Sequence, residues 1–170
     1  GHLVAGYARA FGMDVCVWGS ESARNKAVLD GFQAAPSCEH FFETCDIVTL
    51  HLRLYEATRG IVKLDALSRM KPTALLVNTS RAELIEEGAL VSALNRGRPG
   101  MAAVDVFETE PILQGHPLLR LENAVCTPHI GYVEQDSYET YFRAAFENVV
   151  NFIEQRPTNI VNPEALKVMR

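Results

Sequence analysis

Short apolar runs alternate along this chain with stretches in which apolar residues recur every three or four positions. The runs DVCVW (Asp14–Trp18), DIVTL (Asp46–Leu50), ALLVNT (Ala74–Thr79), MAAVDV (Met101–Val106) and NAVCT (Asn123–Thr127) predict strands. Their nearly continuous hydrophobicity suits strands covered on both faces, as in a parallel sheet. Between them, Ala23–Asp30, Leu64–Met70 and Glu86–Arg96 predict helices. The third carries Ala89, Leu90, Ala93 and Leu94 on one face, and the RGRPG around its end stops it. The opening GHLVAGYARAFGM also reads as part of a helix. Strands alternating with helices imply βαβ units, and so an α/β fold with a doubly wound parallel sheet.

The last third has a different rhythm. Glu134 to Glu154 predicts one long helix, with Tyr138, Tyr141, Phe142, Ala145, Val149 and Phe152 at three- and four-residue steps. Core packing is the simplest reading of that stripe, and cover for a partner domain is the alternative. The helix gives way to RPTNIVNPEAL, a tail punctuated by proline and asparagine.

Composition narrows the function classes. A chain of 170 residues, 48% hydrophobic, can bury one sizeable core, and a single domain is expected. A net charge of −5 argues against a general electrostatic surface for nucleic acid or for an anionic membrane. No run approaches the roughly 20 apolar residues of a membrane span. The opening segment lacks the basic start of a secretory signal. Cys16, Cys38, Cys45 and Cys126 form no C-x-x-C pair, and Cys16 and Cys126 lie inside apolar runs. Buried free thiols in a reducing compartment are the expectation, which places the protein in the cytoplasm. The five histidines show no metal-ligand spacing.

Open α/β sheets bind ligands beyond the carboxyl ends of their strands. Ser80 and Arg81 follow the third predicted strand, Glu108 and Glu110 the fourth, and His129 and Gly131 the fifth. Singly, each has a plain structural reading: a surface arginine, a solvated loop acid, a hydrogen-bonded histidine. Together they suit one chemistry. Arg81 can grip a carboxylate with its planar fork, His129 can exchange the proton of an alcohol, and Glu110 can orient and charge the imidazole.

At this point a resemblance emerges. The stretch LVNTSRAELIEEGALVSALNRGRPGMAAVDVFETEPI, followed by HPLLRLENAVCTPHIG, resembles the D-isomer-specific 2-hydroxyacid dehydrogenases, which include D-3-phosphoglycerate dehydrogenase and glyoxylate reductase. CDIVTLHLRLYEATRGIV and MKPTALLVNTSR match the same family upstream. The resemblance implies a Rossmann-type NAD(P)-binding domain over residues 1–155, with a tail over residues 156–170 returning toward a separate substrate domain. It implies NAD or NADP as cofactor, a 2-keto or 2-hydroxy acid of D configuration as substrate, and a homodimer. In the family pattern Arg81 binds the substrate carboxylate, His129 is proton donor and acceptor, and Glu110 is its partner. Gly1, Gly19, Ser20, Leu52 and Arg53 would meet the cofactor. So would Thr79, Ser80 and Arg81, with Asp105 at the nicotinamide end beside His129 and Gly131. Hydride transfer belongs to the cofactor, so the protein must position, polarise and protonate.

The chain also departs from the pattern. The fingerprint G-x-G-x-x-G should span the first strand–helix turn, yet Gly1 aligns with its third glycine. The first strand, two glycines and the substrate domain lie outside the sequence, so these 170 residues alone are expected to be inactive. Where the family often has an acid for the ribose hydroxyls, Gly19 stands, which removes repulsion against a 2′-phosphate. Ser20, Arg24 and Lys26 could bind such a phosphate, whereas Glu21 could serve the ribose; both dinucleotides are expected, with a slight lean to NADP. Arg53 replaces a usual proline and Ala82 a frequent glycine. Two other readings share the fold. One is a dinucleotide-sensing transcriptional corepressor. The other is a formate dehydrogenase, against which Glu110 counts, since relatives acting on formate carry glutamine there.

Overall fold

The computed structural model describes residues 1–167 and divides into two units, Gly1–Ile130 and the chain from Gly131 on. The first unit runs α1 (His2–Ala10), β1 (Cys16–Val17), α2 (Glu21–Leu29), β2 (Gln33–Ala34), α3 (Cys38–Thr44) and β3 (Ile47–Leu50). It continues α4 (Leu64–Arg69), β4 (Leu75–Asn78), α5 (Ala89–Asn95), β5 (Met101–Val104) and β6 (Ala124–Cys126). Every strand pairing is parallel, in a two-stranded sheet β1-β2 and a four-stranded sheet β3-β4-β5-β6. This is the α/β parallel architecture that the alternating pattern predicts, of the Rossmann type that the family resemblance implies.

Local chemistry sets the helix ends. The Ser20 hydroxyl accepts from Ala23 N at 3.3 Å and starts α2, and Ser37 does the same for α3 through His40 N at 3.1 Å. Gly31, at φ +79°, lets Phe32 N and Gly31 N close back on Ala27 and Val28 carbonyls at the end of α2. The short β2 and α3 are absent from the sequence-based prediction: Gln33–Ala34 offers no apolar run, whereas Cys38, Phe41 and Phe42 carry a helical three- and four-residue spacing that the prediction passes over. The predicted helix over Glu86–Arg96 forms only from Ala89 to Asn95. Glu86 instead turns its carboxylate to Leu64 N at 3.1 Å, capping the neighbouring α4, and Gly88 at φ +71° bends the chain into α5.

The core of this unit lies between the four-stranded sheet and its helices. Val48, Leu50, Leu76, Ala102 and Val104 pack with Leu67 and Met70 of α4 and its border and with Leu90, Ala93 and Leu94 of α5. Gly100 enters β5 where a Cβ would lie 1.9 Å from the Pro72 carbonyl oxygen, so only glycine fits this crossing. The opposite sheet face is more open than the strand runs predict: Ile47, Met101 and Val125 are 48–54% exposed. Cys16 and Cys126 are correspondingly half-buried rather than buried.

The second unit is built on α6 (Gln135–Ile153), close to the predicted helix. Its aromatic stripe is not core: no residue of α6 is buried, and Tyr141 and Phe146 are 65% and 66% exposed. The rest of that unit is too short to bury a nineteen-residue helix. Its tail folds back by hydrogen bonds, Asn159 Nδ2 donating to Asn148 Oδ1 at 2.9 Å and Asn151 Nδ2 to Thr158 Oγ1 at 3.0 Å. Among the described residues, no helix is long and apolar enough to cross a membrane.

Candidate active site

Three loops at the carboxyl edge of β4, β5 and β6 carry Arg81, Glu110 and His129. The loop after β4 is fixed from below by Asn78, the last residue of the strand. The buried Asn78 side chain donates from Nδ2 to Arg81 O at 2.9 Å and accepts from Ser80 N at 3.1 Å on Oδ1. Ser80 Oγ donates to Leu52 O at 2.8 Å, tying this loop to the one after β3. Arg81 is exposed, with Nη1 donating to the Ser80 carbonyl at 2.7 Å.

Beyond β5 the chain turns so that Glu110 Oε1 accepts from Phe107 N at 3.0 Å. Its other oxygen, Oε2, lies 2.6 Å from His129 Nδ1. The Glu110 carboxyl is held below the ordinary glutamate value. The hydrogen bond from His129 is the leading cause and that from Phe107 N the next, with the His129 and Arg81 charges adding to them. An ionised carboxylate can only accept, so Nδ1 carries a proton and donates it. Nε2 is the ring nitrogen that does not face Glu110.

His129 sits at φ +55°, a conformation uncommon outside glycine. The turn is over-determined by its neighbours. His129 N donates to Thr127 O at 3.0 Å. On either side of it, Thr127 Oγ1 and Ile130 N both donate to Oδ1 of the buried Asp105, the latter at 2.9 Å. Asp105 N in turn donates to Asn78 O at 3.0 Å. A chain of hydrogen bonds therefore runs from the Arg81 loop, through Asn78 and Asp105, to the His129 turn. Asn78 and Thr127 are missing from the sequence-based site. Asn78 ends β4 and Thr127 follows β6 as ordinary-looking polar residues, and only their burial or bonding distinguishes them.

The remaining positions lie in these and other loops. Gly1 precedes α1 and packs on His51, which follows β3; a Cβ on Gly1 would lie 3.4 Å from His51 Cβ. The start of α1 is thereby set at the carboxyl end of β3, and no side chain caps it. Thr79 is exposed beside Ser80. The carbonyl of Arg53 accepts from the buried Thr58 hydroxyl at 2.7 Å. Gly19 and Ser20 form the turn between β1 and α2. Of the basic groups near that turn, Lys26 is paired with Asp30 at 3.1 Å and Arg24 lies 4.7 Å over the Trp18 ring. Glu108 pairs with His116 at 3.4 Å. Gly131 opens the second unit.

Comparison with known proteins gives this arrangement a family. Along 99% of its length the chain is 37% identical to a glyoxylate reductase from Aeropyrum pernix, of which it covers 50%. A solved structure of a candidate D-3-phosphoglycerate dehydrogenase oxidoreductase from Ralstonia solanacearum superposes with a TM-score of 0.90 and 60% identity. That match covers 97% of this chain and 48% of the other. An acyclic imino acid reductase, solved with NADPH and D-Arg, superposes with a TM-score of 0.72 at 31% identity, over 95% of this chain and 50% of its own. The chain thus spans about half the length of the relatives it matches. With residues 1–131 matching the family's NAD binding domain, the chain belongs to the D-isomer specific 2-hydroxyacid dehydrogenases.

Proposed function

We propose that the full-length enzyme to which this chain belongs transfers a hydride between NAD(P)H and a 2-keto or 2-hydroxy acid of D configuration. The observation that carries this reading is the Glu110–His129 pair, with Arg81 close enough to help hold the Glu110 carboxyl low. Reduction of a keto acid needs a cation for the substrate carboxylate and a proton at the keto oxygen. Arg81 supplies the first through its guanidinium fork. His129 supplies the second from Nε2, because Nδ1 is committed to Glu110. In the reverse direction Nε2 takes the hydroxyl proton. Glu110 keeps the imidazole in the required tautomer and orientation.

The residues present fit the dinucleotide. An uncapped helix start at the carboxyl edge of the sheet offers free amide groups to a diphosphate. When bound there, NAD(P)H supplies the hydride. Gly1, Leu52, Thr79 and Ser80 would line its path, Gly19, Ser20 and Arg53 its adenosine half, and Asp105 and His129 its nicotinamide half. At the ribose, Gly19 offers no carboxylate to repel a 2′-phosphate. Lys26 is engaged with Asp30 and the Ser20 hydroxyl with Ala23 N, which leaves Arg24 as the cation for NADP. Use of both dinucleotides follows. Four free cysteines fit a reducing, cytoplasmic setting, and the family resemblance supports a homodimer.

The test is a steady-state screen of the full-length protein with a panel of 2-keto acids, followed by the absorbance of the reduced dinucleotide and by chiral analysis of the product. Turnover giving the D-hydroxy acid is expected. Absence of dinucleotide-dependent reduction across the panel, or an L product, overturns the reading.

A further inference from the structure

Resting on the reading of Arg81 as the substrate-carboxylate group, we propose that Asn78 is a positioning residue for that arginine. Asn78 is 1% exposed and stands in register between the buried Leu50 and Val104 of the neighbouring strands, where an aliphatic side chain would be the ordinary occupant. It carries instead an amide whose two ends are both used within the next three residues, on Ser80 N and on Arg81 O. Burying a polar group among aliphatic neighbours is tolerated when its hydrogen bonds are made. Here the bonds close a ring around Thr79–Arg81, so that the extended backbone of Arg81 (φ −148°, ψ 138°) is set by a side chain anchored in the sheet.

An amide is the group this ring requires. A carboxylate lacks the donor that Arg81 O receives, an aliphatic residue lacks both, and a hydroxyl is too short to span both partners. The Asn78 backbone reaches the other half of the site, since its carbonyl accepts from Asp105 N and Asp105 Oδ1 holds both sides of the His129 turn. One strand end therefore sets the Arg81 loop through its side chain and registers it against the His129 turn through its backbone. Small misplacement of a positioning group costs rate out of proportion to the displacement.

The experiment uses the full-length enzyme with a 2-keto acid that it reduces, and compares Asn78→Ala, Asn78→Ser and Arg81→Ala with the Asn78→Ala/Arg81→Ala double variant. Asn78→Ala is expected to raise KM for the keto acid about 10- to 100-fold, with a clearly smaller rise in the NADH dissociation constant through the freed Ser80 amide, and with the pH profile of kcat unmoved. In the Arg81→Ala background the same substitution should change KM less than about threefold, because the group it positions is gone. Asn78→Ser, which keeps a small polar group, carries the test if the alanine variant does not fold, with the same direction expected. Equal KM penalties in both backgrounds, or parallel losses of NADH and keto-acid binding, would show a general structural role and overturn the proposal. If Arg81→Ala itself leaves KM unchanged, the substrate reading falls and this inference with it. If Arg81→Ala raises KM but both Asn78 variants leave it unaltered, the inference alone falls.

Discussion

His129 Nδ1 and Glu110 Oε2 lie 2.6 Å apart, although they stand nineteen positions apart in the chain, on two separate loops. The pair has a consequence for acid stability. The folded-state Glu110 carboxyl titrates below its ordinary value, so the stability it contributes is fully present above that value and is lost as pH falls through the lowered one. The stability gap between the parent and Glu110→Gln should therefore be flat above about pH 5 and narrow below the ordinary glutamate range of about 4.3. Urea unfolding at a series of pH values measures it. A gap that widens toward acid would contradict the assignment of Glu110 as the ionised partner.

Arg81→Lys tests the two-point grip on a carboxylate. An ammonium retains the charge but not the fork, so kcat/KM for a 2-keto acid in the full-length enzyme should fall about 10- to 100-fold, chiefly through KM. Initial-rate kinetics check this, and near-parent values would remove Arg81 from the substrate.

Gly100 is expected to be irreplaceable for packing reasons alone. A Cβ there would meet the Pro72 carbonyl oxygen at 1.9 Å, which is backbone and cannot rotate aside. Gly100→Ala should cost about 2 kcal/mol or more, in the upper part of the range for overpacked sites, read as a lowered Tm. An unchanged Tm would mean that the crossing of β5 over the Pro72 turn is looser than described.

Much of the fold is legible in the pattern of apolar runs because long parallel strands are buried on at least one face, as Leu76 and Ala102 are. β2 escapes that reading because Gln33–Ala34 is no apolar run, and α3 because its apolar Cys38, Phe41 and Phe42 are set among charged and polar neighbours. Arg81, Glu110 and His129 could be picked out because their residue types announce chemistry at strand ends. Asn78 could not, since it falls inside the predicted strand Ala74–Thr79 with nothing to set its side chain apart, and its role depends on burial that no local pattern reports. The aromatic stripe of α6 misleads in the opposite sense: a periodic apolar face predicts burial without saying against what.

Cofactor choice turns on Gly19. Its backbone is not left-handed, and an added Cβ would meet only Ala23 Cβ at an ordinary 3.4 Å, so an aspartate can be installed without distortion. Gly19→Asp in the full-length enzyme should shift the ratio of kcat/KM values toward NAD over NADP by at least about tenfold, roughly 1.4 kcal/mol. If the parent already excludes NADP and the substitution changes nothing, Glu21 or the backbone is the discriminator.

The most direct test of the central claim is the turnover of His129→Ala in the full-length enzyme, measured together with its affinity for the reduced dinucleotide. Loss of proton transfer from Nε2 predicts a fall in kcat of about 10²- to 10⁴-fold with little change in dinucleotide affinity. Near-normal turnover would contradict the assignment of His129 as the group that exchanges the proton.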